Sequence, residues 1–160
     1  MLCISVEEFL FWKKKQLSKG GDQQSFAVLL DCIGGLSASD LNLMSINLEG
    51  KLHLKKKLEF LESVWHYHLL NSCPIQYLCG ITFWRDLKLK VTKKVLIPRP
   101  ETELIVDIVF NIFRRKSEKL FFAELGTGSG AISIALALAY PLSDGVATDI
   151  DQDALEIATK

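Results

Sequence analysis

Little in this sequence marks a special environment. Its four cysteines, Cys3, Cys32, Cys73 and Cys79, form no C-x-x-C pair and no metal-like spacing. With no secretory leader expected, reduced thiols in the cytoplasm are the default, and neither a disulfide framework nor a zinc site is expected. Only three histidines occur, His53, His66 and His68. The last two are two residues apart and fall on different helix faces, so they cannot share an ion as an i, i+4 pair could, and no metal is expected. No long uncharged apolar run is present. Met1 to Trp12 is apolar but carries Glu7 and Glu8, which fits neither a leader peptide nor a membrane span. Net charge is also lacking: 19 basic residues balance 19 acidic ones, so bulk charge nominates neither nucleic acid nor a membrane surface.

What is present is apolar residue, 49% of the chain, which is too much for disorder and enough for a core. The length fits one ordinary domain, or a small domain plus part of another. Charge is unevenly spread. Residues 76–119 hold ten Lys/Arg against five Asp/Glu, whereas residues 120–160 hold one Lys against six acids. The middle is either a set of solvated faces or a basic docking surface; composition alone leaves both open.

The first seventy or so residues predict a small α-helical bundle. Val6 through Leu17 has helical spacing of its apolar residues and ends at Gly20-Gly21. Asp22 can cap a second helix, with Phe26, Leu29, Leu30 and Ile33 at helical intervals, closed by Gly34-Gly35. Ser37 or Ser39 can cap a short third helix through Met44. Leu54, Leu58, Leu61, Trp65 and Leu69 form the stripe of a long fourth helix. The Lys13-Lys14-Lys15 and Lys55-Lys56-Lys57 runs then fall on polar faces.

At Pro74 the character changes. Phe83-Trp84-Arg85-Asp86-Leu87-Lys88-Leu89-Lys90-Val91 has a turn-like Arg-Asp centre followed by apolar/basic alternation, the pattern of a β-hairpin with one buried face. In Ile97-Pro98-Arg99-Pro100-Glu101-Thr102-Glu103 each proline forces the residue before it to be extended. Pro100 suits a first helical turn, and Glu101 and Glu103 suit its positive end. The segment is either a rigid helix entry or a stiff loop that aims Arg99 into a substrate pocket made with Pro98 and Pro100.

The chemistry concentrates at residues 120–140. Leu120 to Leu125 is a short apolar run ending at glycine, as in a buried strand, and Ala131 to Tyr140 is rich in helix formers. Between them Gly126, Gly128 and Gly130 alternate with Thr127 and Ser129. Glycines here allow φ > 0 and let a ligand approach the backbone and the helix N-terminus. No Lys follows them, so this is not a phosphate-binding P-loop. The spacing Gly126-x-Gly128-x-x-Ala131 satisfies a dinucleotide fingerprint. Glu124 and the third glycine fit S-adenosyl-L-methionine better, because a carboxylate at the strand end repels a pyrophosphate and welcomes an ammonium or sulfonium. Asp149 ends a second apolar run at about the distance where a parallel strand delivers an acid to ribose hydroxyls. The alternative for it is a helix cap, a role better suited to Asp151.

Taken together, the segments resemble the HemK/PrmC family of protein-(glutamine-N5) methyltransferases. The resemblance rests on Pro74-x-Gln76-Tyr77-x-x-Gly80, Phe83-Trp84-x-x-Leu87-x-Leu89-x-Val91, Leu96-Ile97-Pro98-Arg99-Pro100-Glu101-Thr102-Glu103 and Glu124-Leu125-Gly126-Thr127-Gly128-Ser129-Gly130-Ala131-Ile132. It implies an α/β protein with a helical substrate-docking domain (residues 1–73), a β-hairpin linker (74–97) and the start of a class I Rossmann-like methyltransferase domain (98–160). It implies S-adenosyl-L-methionine on Glu124, Gly126, Thr127, Gly128, Ser129, Gly130 and Asp149. The implied partner is a peptide chain release factor whose Gly-Gly-Gln glutamine is methylated, with no nucleic acid or membrane. The family's Asn-Pro-Pro-Tyr motif is absent from these residues, so no catalytic residue is carried over, and a truncated chain with a bare sheet is expected. Other readings are a related protein or nucleic-acid amino-methyltransferase, and a non-catalytic partner-binding fragment.

Overall fold

The computed structural model describes residues 2–44, 48–114, 117 and 119–159. Arg115, Lys116 and Glu118 of the basic stretch lie outside the described residues, as does Lys160. The chain divides into two compact units, Met1–Cys79 and Gly80–Lys160.

The first unit begins with strand β1 (Leu2–Ser5) and helix α1 (Val6–Leu17). Ser5 caps α1, its Oγ accepting the Glu8 N–H at 3.1 Å, and Glu7 and Glu8 lie at the helix's positive end. Val6, Phe9, Trp12 and Gln16, at helical spacing, are its buried side chains. Helix α2 (Gln23–Leu29) is capped by Asp22, whose carboxylate accepts the Ser25 N–H at 2.8 Å, and runs into a π-helical turn at Leu30–Gly34. Helix α3 (Ala38–Met44) resolves the choice of cap in favour of Ser37, which exchanges hydrogen bonds with Asp40: Ser37 N–H donates to the carboxylate at 2.8 Å and Asp40 N–H to Ser37 Oγ at 3.2 Å.

The unit is not purely helical. Strand β2 (Lys51–Leu54) pairs antiparallel with β1, Leu2 opposite Leu54 and Ser5 opposite Lys51. Leu54 therefore belongs to a strand and not to the fourth helix, which is α4 (Leu58–Asn71). The physical reason is the period-two burial of Lys51-Leu52-His53-Leu54, with both leucines inward. Helix α5 (Ile75–Cys79) closes the unit. Phe9, Trp12, Phe26 and Trp65 form a ring chain with centroids 5.8, 5.6 and 4.8 Å apart, the last pair edge-on. His68 is an ordinary packed histidine, its Nδ1 2.6 Å from the Cys73 carbonyl oxygen and its ring 4.9 Å from Trp65. Burial pushes the Cys79 thiol up to about 12, which keeps it protonated and unreactive.

In the second unit β3 (Ile81–Trp84) and β4 (Leu87–Lys90) form the expected hairpin about Arg85-Asp86. Its inward face carries Thr82, Trp84 and Leu89. Residues 74–97 thus fall on both sides of the division, α5 in the first unit and the hairpin in the second. Arg85 takes φ +50°, and its guanidinium donates to the Asp107 carboxylate at 2.8 Å and the Glu103 carbonyl at 3.3 Å. These bonds hold the turn against helix α6 (Glu103–Ile112), which a 3-10 turn at Pro100–Thr102 precedes.

Strand β5 (Phe121–Leu125) leads through the glycine loop to helix α7 (Ala131–Ala139), and β6 (Asp144–Thr148) returns parallel to β5 before helix α8 (Gln152–Ala158). Trp84, Leu89, Val106, Leu120, Ala135, Leu136 and Tyr140 form the core against which α7 packs. The sheet's other face is bare: Phe121 is 77% exposed, Leu125 83% and Val146 61%. Helix α6 likewise buries only Val106 among its apolar residues. Among the described residues no single helix is long and apolar enough to cross a membrane, and no group of three or more His, Cys, Asp or Glu could hold a metal ion.

Candidate cofactor site

The glycine loop is tied to the end of β6 by its own backbone. Gly126 and Thr127 N–H both donate to the Thr148 carbonyl, at 2.8 and 2.9 Å, and Gly130 N–H closes a turn onto the Thr127 carbonyl at 2.9 Å. The Asp149 carboxylate reaches back to accept the Gly128 N–H at 2.8 Å, while its other oxygen accepts the Asp151 N–H at 3.0 Å. These bonds, from Asp151 first and Gly128 second, hold the Asp149 carboxyl below the usual aspartate range, so it is ionised at neutral pH. Asp151 is the cap of α8, accepting the Asp153 N–H at 2.8 Å, which leaves Asp149 on the loop.

Gly126, Gly128 and Gly130 all take positive φ, at 78°, 56° and 82°. Their surroundings differ. A Cβ at Gly126 or Gly128 would meet nothing within 4 Å, whereas one at Gly130 would meet Ile134 at 3.1 Å and Ala158 at 3.3 Å. The first two glycines therefore line open space, and the third lets α7 and α8 approach.

Glu124 is half-buried and points to the α7 side of the sheet. Its Oε2 accepts the Thr127 hydroxyl at 2.8 Å, the Ser133 N–H at 3.0 Å and the Ser133 hydroxyl. Oε1 has no hydrogen-bond partner among the described residues. Thr127 is buried with its hydroxyl spent on Glu124, and Ser129 is buried as well. The structure thus brings Glu124, Thr127, Gly128 and Asp149 into one bonded loop. Pro98, Arg99 and Pro100 make no hydrogen bond to it. The Arg99 carbonyl instead accepts the Trp84 indole N–H at 3.0 Å, and the Arg99 side chain is exposed. Ser133 was not singled out by the sequence. Its only signal is a hydroxyl at the third helical position, nine residues beyond Glu124.

A parallel strand pair joined through a glycine turn and a helix, with an acid at each strand end, defines a mixed α/β fold consistent with part of a methyltransferase domain. No family model matches the chain. Relatives specify it further. The chain is 44% identical to the release factor glutamine methyltransferase of Prochlorococcus marinus over 156 residues, 97% of this chain and 53% of that protein. It is 40% identical to the protein of the same name from Synechocystis, across 97% of this chain and 54% of that protein, and 34% identical to that of Gloeobacter violaceus, across 92% and 51%. The chain is thus a relative of the release factor glutamine methyltransferases, and it spans about half the length of the curated relatives it matches.

Proposed function

We propose that the chain is the N-terminal part of an S-adenosyl-L-methionine-dependent enzyme of the cytoplasm that methylates a release factor on the glutamine side-chain amide of its Gly-Gly-Gln motif. The observation that supports it most is the open space over Gly126 and Gly128, edged by two carboxylates, Glu124 and Asp149. A pyrophosphate is disfavoured there by charge; a ligand with cationic and ribose parts is favoured.

In this reading Gly126 and Gly128 give the adenosine and amino acid parts room against the backbone. Asp149, ionised and fixed on the loop, offers lone pairs to ribose hydroxyls, and Glu124 Oε1 meets the positive charge. Thr127, Ser129 and Gly130 shape the loop from within. Pro98, Arg99 and Pro100 form one wall of the substrate pocket, pinned through the Trp84 indole. When bound, the cofactor supplies an electrophilic methyl group. The amide nitrogen is a weak nucleophile, and in-line attack needs it held close with its N–H groups engaged by acceptors. Residues 1–160 contain no Asn-Pro-Pro-Tyr segment to provide those acceptors. Helices of a Rossmann-like sheet would cover the bare outer face of β5 and β6, and further strands would pair along the open edges, since parallel sheets are covered on both faces. The first unit serves in substrate docking.

Calorimetry with S-adenosyl-L-methionine and with NADH, alongside a methyl-transfer assay on a release factor, tests the proposal. Heat with the former, none with NADH, and no turnover by the 160-residue chain are expected. Preference for NADH, or no heat with S-adenosyl-L-methionine, refutes it; robust turnover would overturn only the expectation that these 160 residues are inactive by themselves.

A further inference from the structure

Glu124 carries an asymmetry that the cofactor reading alone does not require. Three donors converge on one of its oxygens, and two of the three come from Ser133: the backbone N–H at 3.0 Å and the side-chain hydroxyl. The third is the Thr127 hydroxyl at 2.8 Å. A helix N-terminus needs an acceptor for its first N–H groups, and the Ser133 N–H alone would satisfy that need. The added hydroxyl makes a second, charge-assisted bond to the same oxygen, which fixes the carboxylate's rotation as well as its position. Oε1 is then the oxygen left to meet a ligand.

We propose that Ser133 is a positioning residue for the cofactor's cationic end: it clamps Glu124 through Oε2 and so presents Oε1 to the positive charge. The inference rests on the function proposed above, because it supposes that a cation is what Oε1 meets. Its effect is selective. Loss of the Ser133 hydroxyl lets the Glu124 carboxylate rotate without removing the glycines that face the adenosine. A purely structural cap would behave differently, weakening every ligand of the loop alike.

The test compares S-adenosyl-L-methionine with 5′-methylthioadenosine, which keeps the adenosine and lacks both the sulfonium charge and the amino acid. Both are titrated by calorimetry into the native chain, Ser133→Ala and Ser133→Thr. Ser133→Ala is expected to weaken S-adenosyl-L-methionine about tenfold, the size of one charge-assisted hydrogen bond. Methylthioadenosine affinity should be unchanged, and Ser133→Thr, which keeps the hydroxyl, should restore most of the loss. Equal weakening of both ligands, or of neither, overturns the inference. If the native chain binds neither ligand, the proposed function fails and the Ser133 inference with it; native binding of S-adenosyl-L-methionine without the selective loss in Ser133→Ala overturns the Ser133 inference alone.

Discussion

The two units of this chain solve the burial problem to different degrees. In the first, Phe9, Phe26, Leu29, Leu30, Leu54, Leu61, Trp65 and Ile75 are at most 1% exposed, and they come from three helices, a π-helical turn, a strand and a short closing helix. In the second, every residue of β6 is exposed and Leu125 on β5 is 83% exposed. Phe11 and Leu70 of the first unit are exposed too, at 74% and 70%. They are single side chains on helices, an ordinary feature of protein surfaces. In the second unit Phe121, Leu125 and Val146 lie together on one face of a parallel pair, the arrangement that parallel sheets cover on both sides. The first unit therefore closes its core by joining segments as distant as β1 and β2, whereas the strand pair of the second leaves one sheet face uncovered.

The contrast is broken most directly at Trp65. The ring is fully buried, edge-on to Phe26 at 4.8 Å, and its indole N–H donates to the Gln16 carbonyl at 3.3 Å. Trp65→Ala should cost about 3–5 kcal/mol, the usual range for emptying a well-packed aromatic site. Loss of amide-exchange protection across α1, α2 and α4 would register it. A cost below about 1 kcal/mol would mean that the first core is no tighter than the second.

Within the second unit the glycine loop offers a finer comparison. Gly130 needs positive φ and also has Ile134 and Ala158 within 3.1 and 3.3 Å of a would-be Cβ, so Gly130→Ala should lose about 1–3 kcal/mol from backbone strain and crowding together. Gly128→Ala meets the strain alone, with open space around the new methyl. It should cost less stability and more ligand affinity. Urea denaturation and calorimetry on the two variants separate these effects, and equal stability losses would show that the space over Gly128 is not open.

How much of this was legible beforehand follows the range of each interaction. The cap at Asp22, a cap at Ser37 or Ser39, the hairpin turn at Arg85-Asp86 and the strand, glycine loop and helix of residues 120–140 are written in neighbouring residues, and local chemistry predicted them, the structure choosing Ser37. The pairing of β1 with β2 joins residues about fifty apart, and Leu54 happens to lie four residues before Leu58, so a helical stripe absorbed it. The Glu124 bond to Ser133 and the Arg85 bond to Asp107 were invisible for the same reason: each depends on how a helix lies on a strand or hairpin, which no spacing rule states. The acids were identified as site residues, but their present bonds brace the loop.

The smallest stability effect belongs to Phe121, and it sharpens the comparison most. Its ring is 77% exposed, with the Lys119 ammonium 5.0 Å above it, a solvent-screened contact worth about 0.5 kcal/mol. Phe121→Ser should therefore change unfolding free energy by no more than about 0.5 kcal/mol. The same substitution removes a large apolar surface from a face that also exposes Leu125 and Val146, so it should lower self-association measured by light scattering or sedimentation. The two readings pull apart what a single one would confuse. A ring that stabilises this chain by its own burial would cost several kcal/mol when removed, whatever happened to association. A ring on an uncovered face costs almost nothing in this chain and shows its value only in what the face attracts.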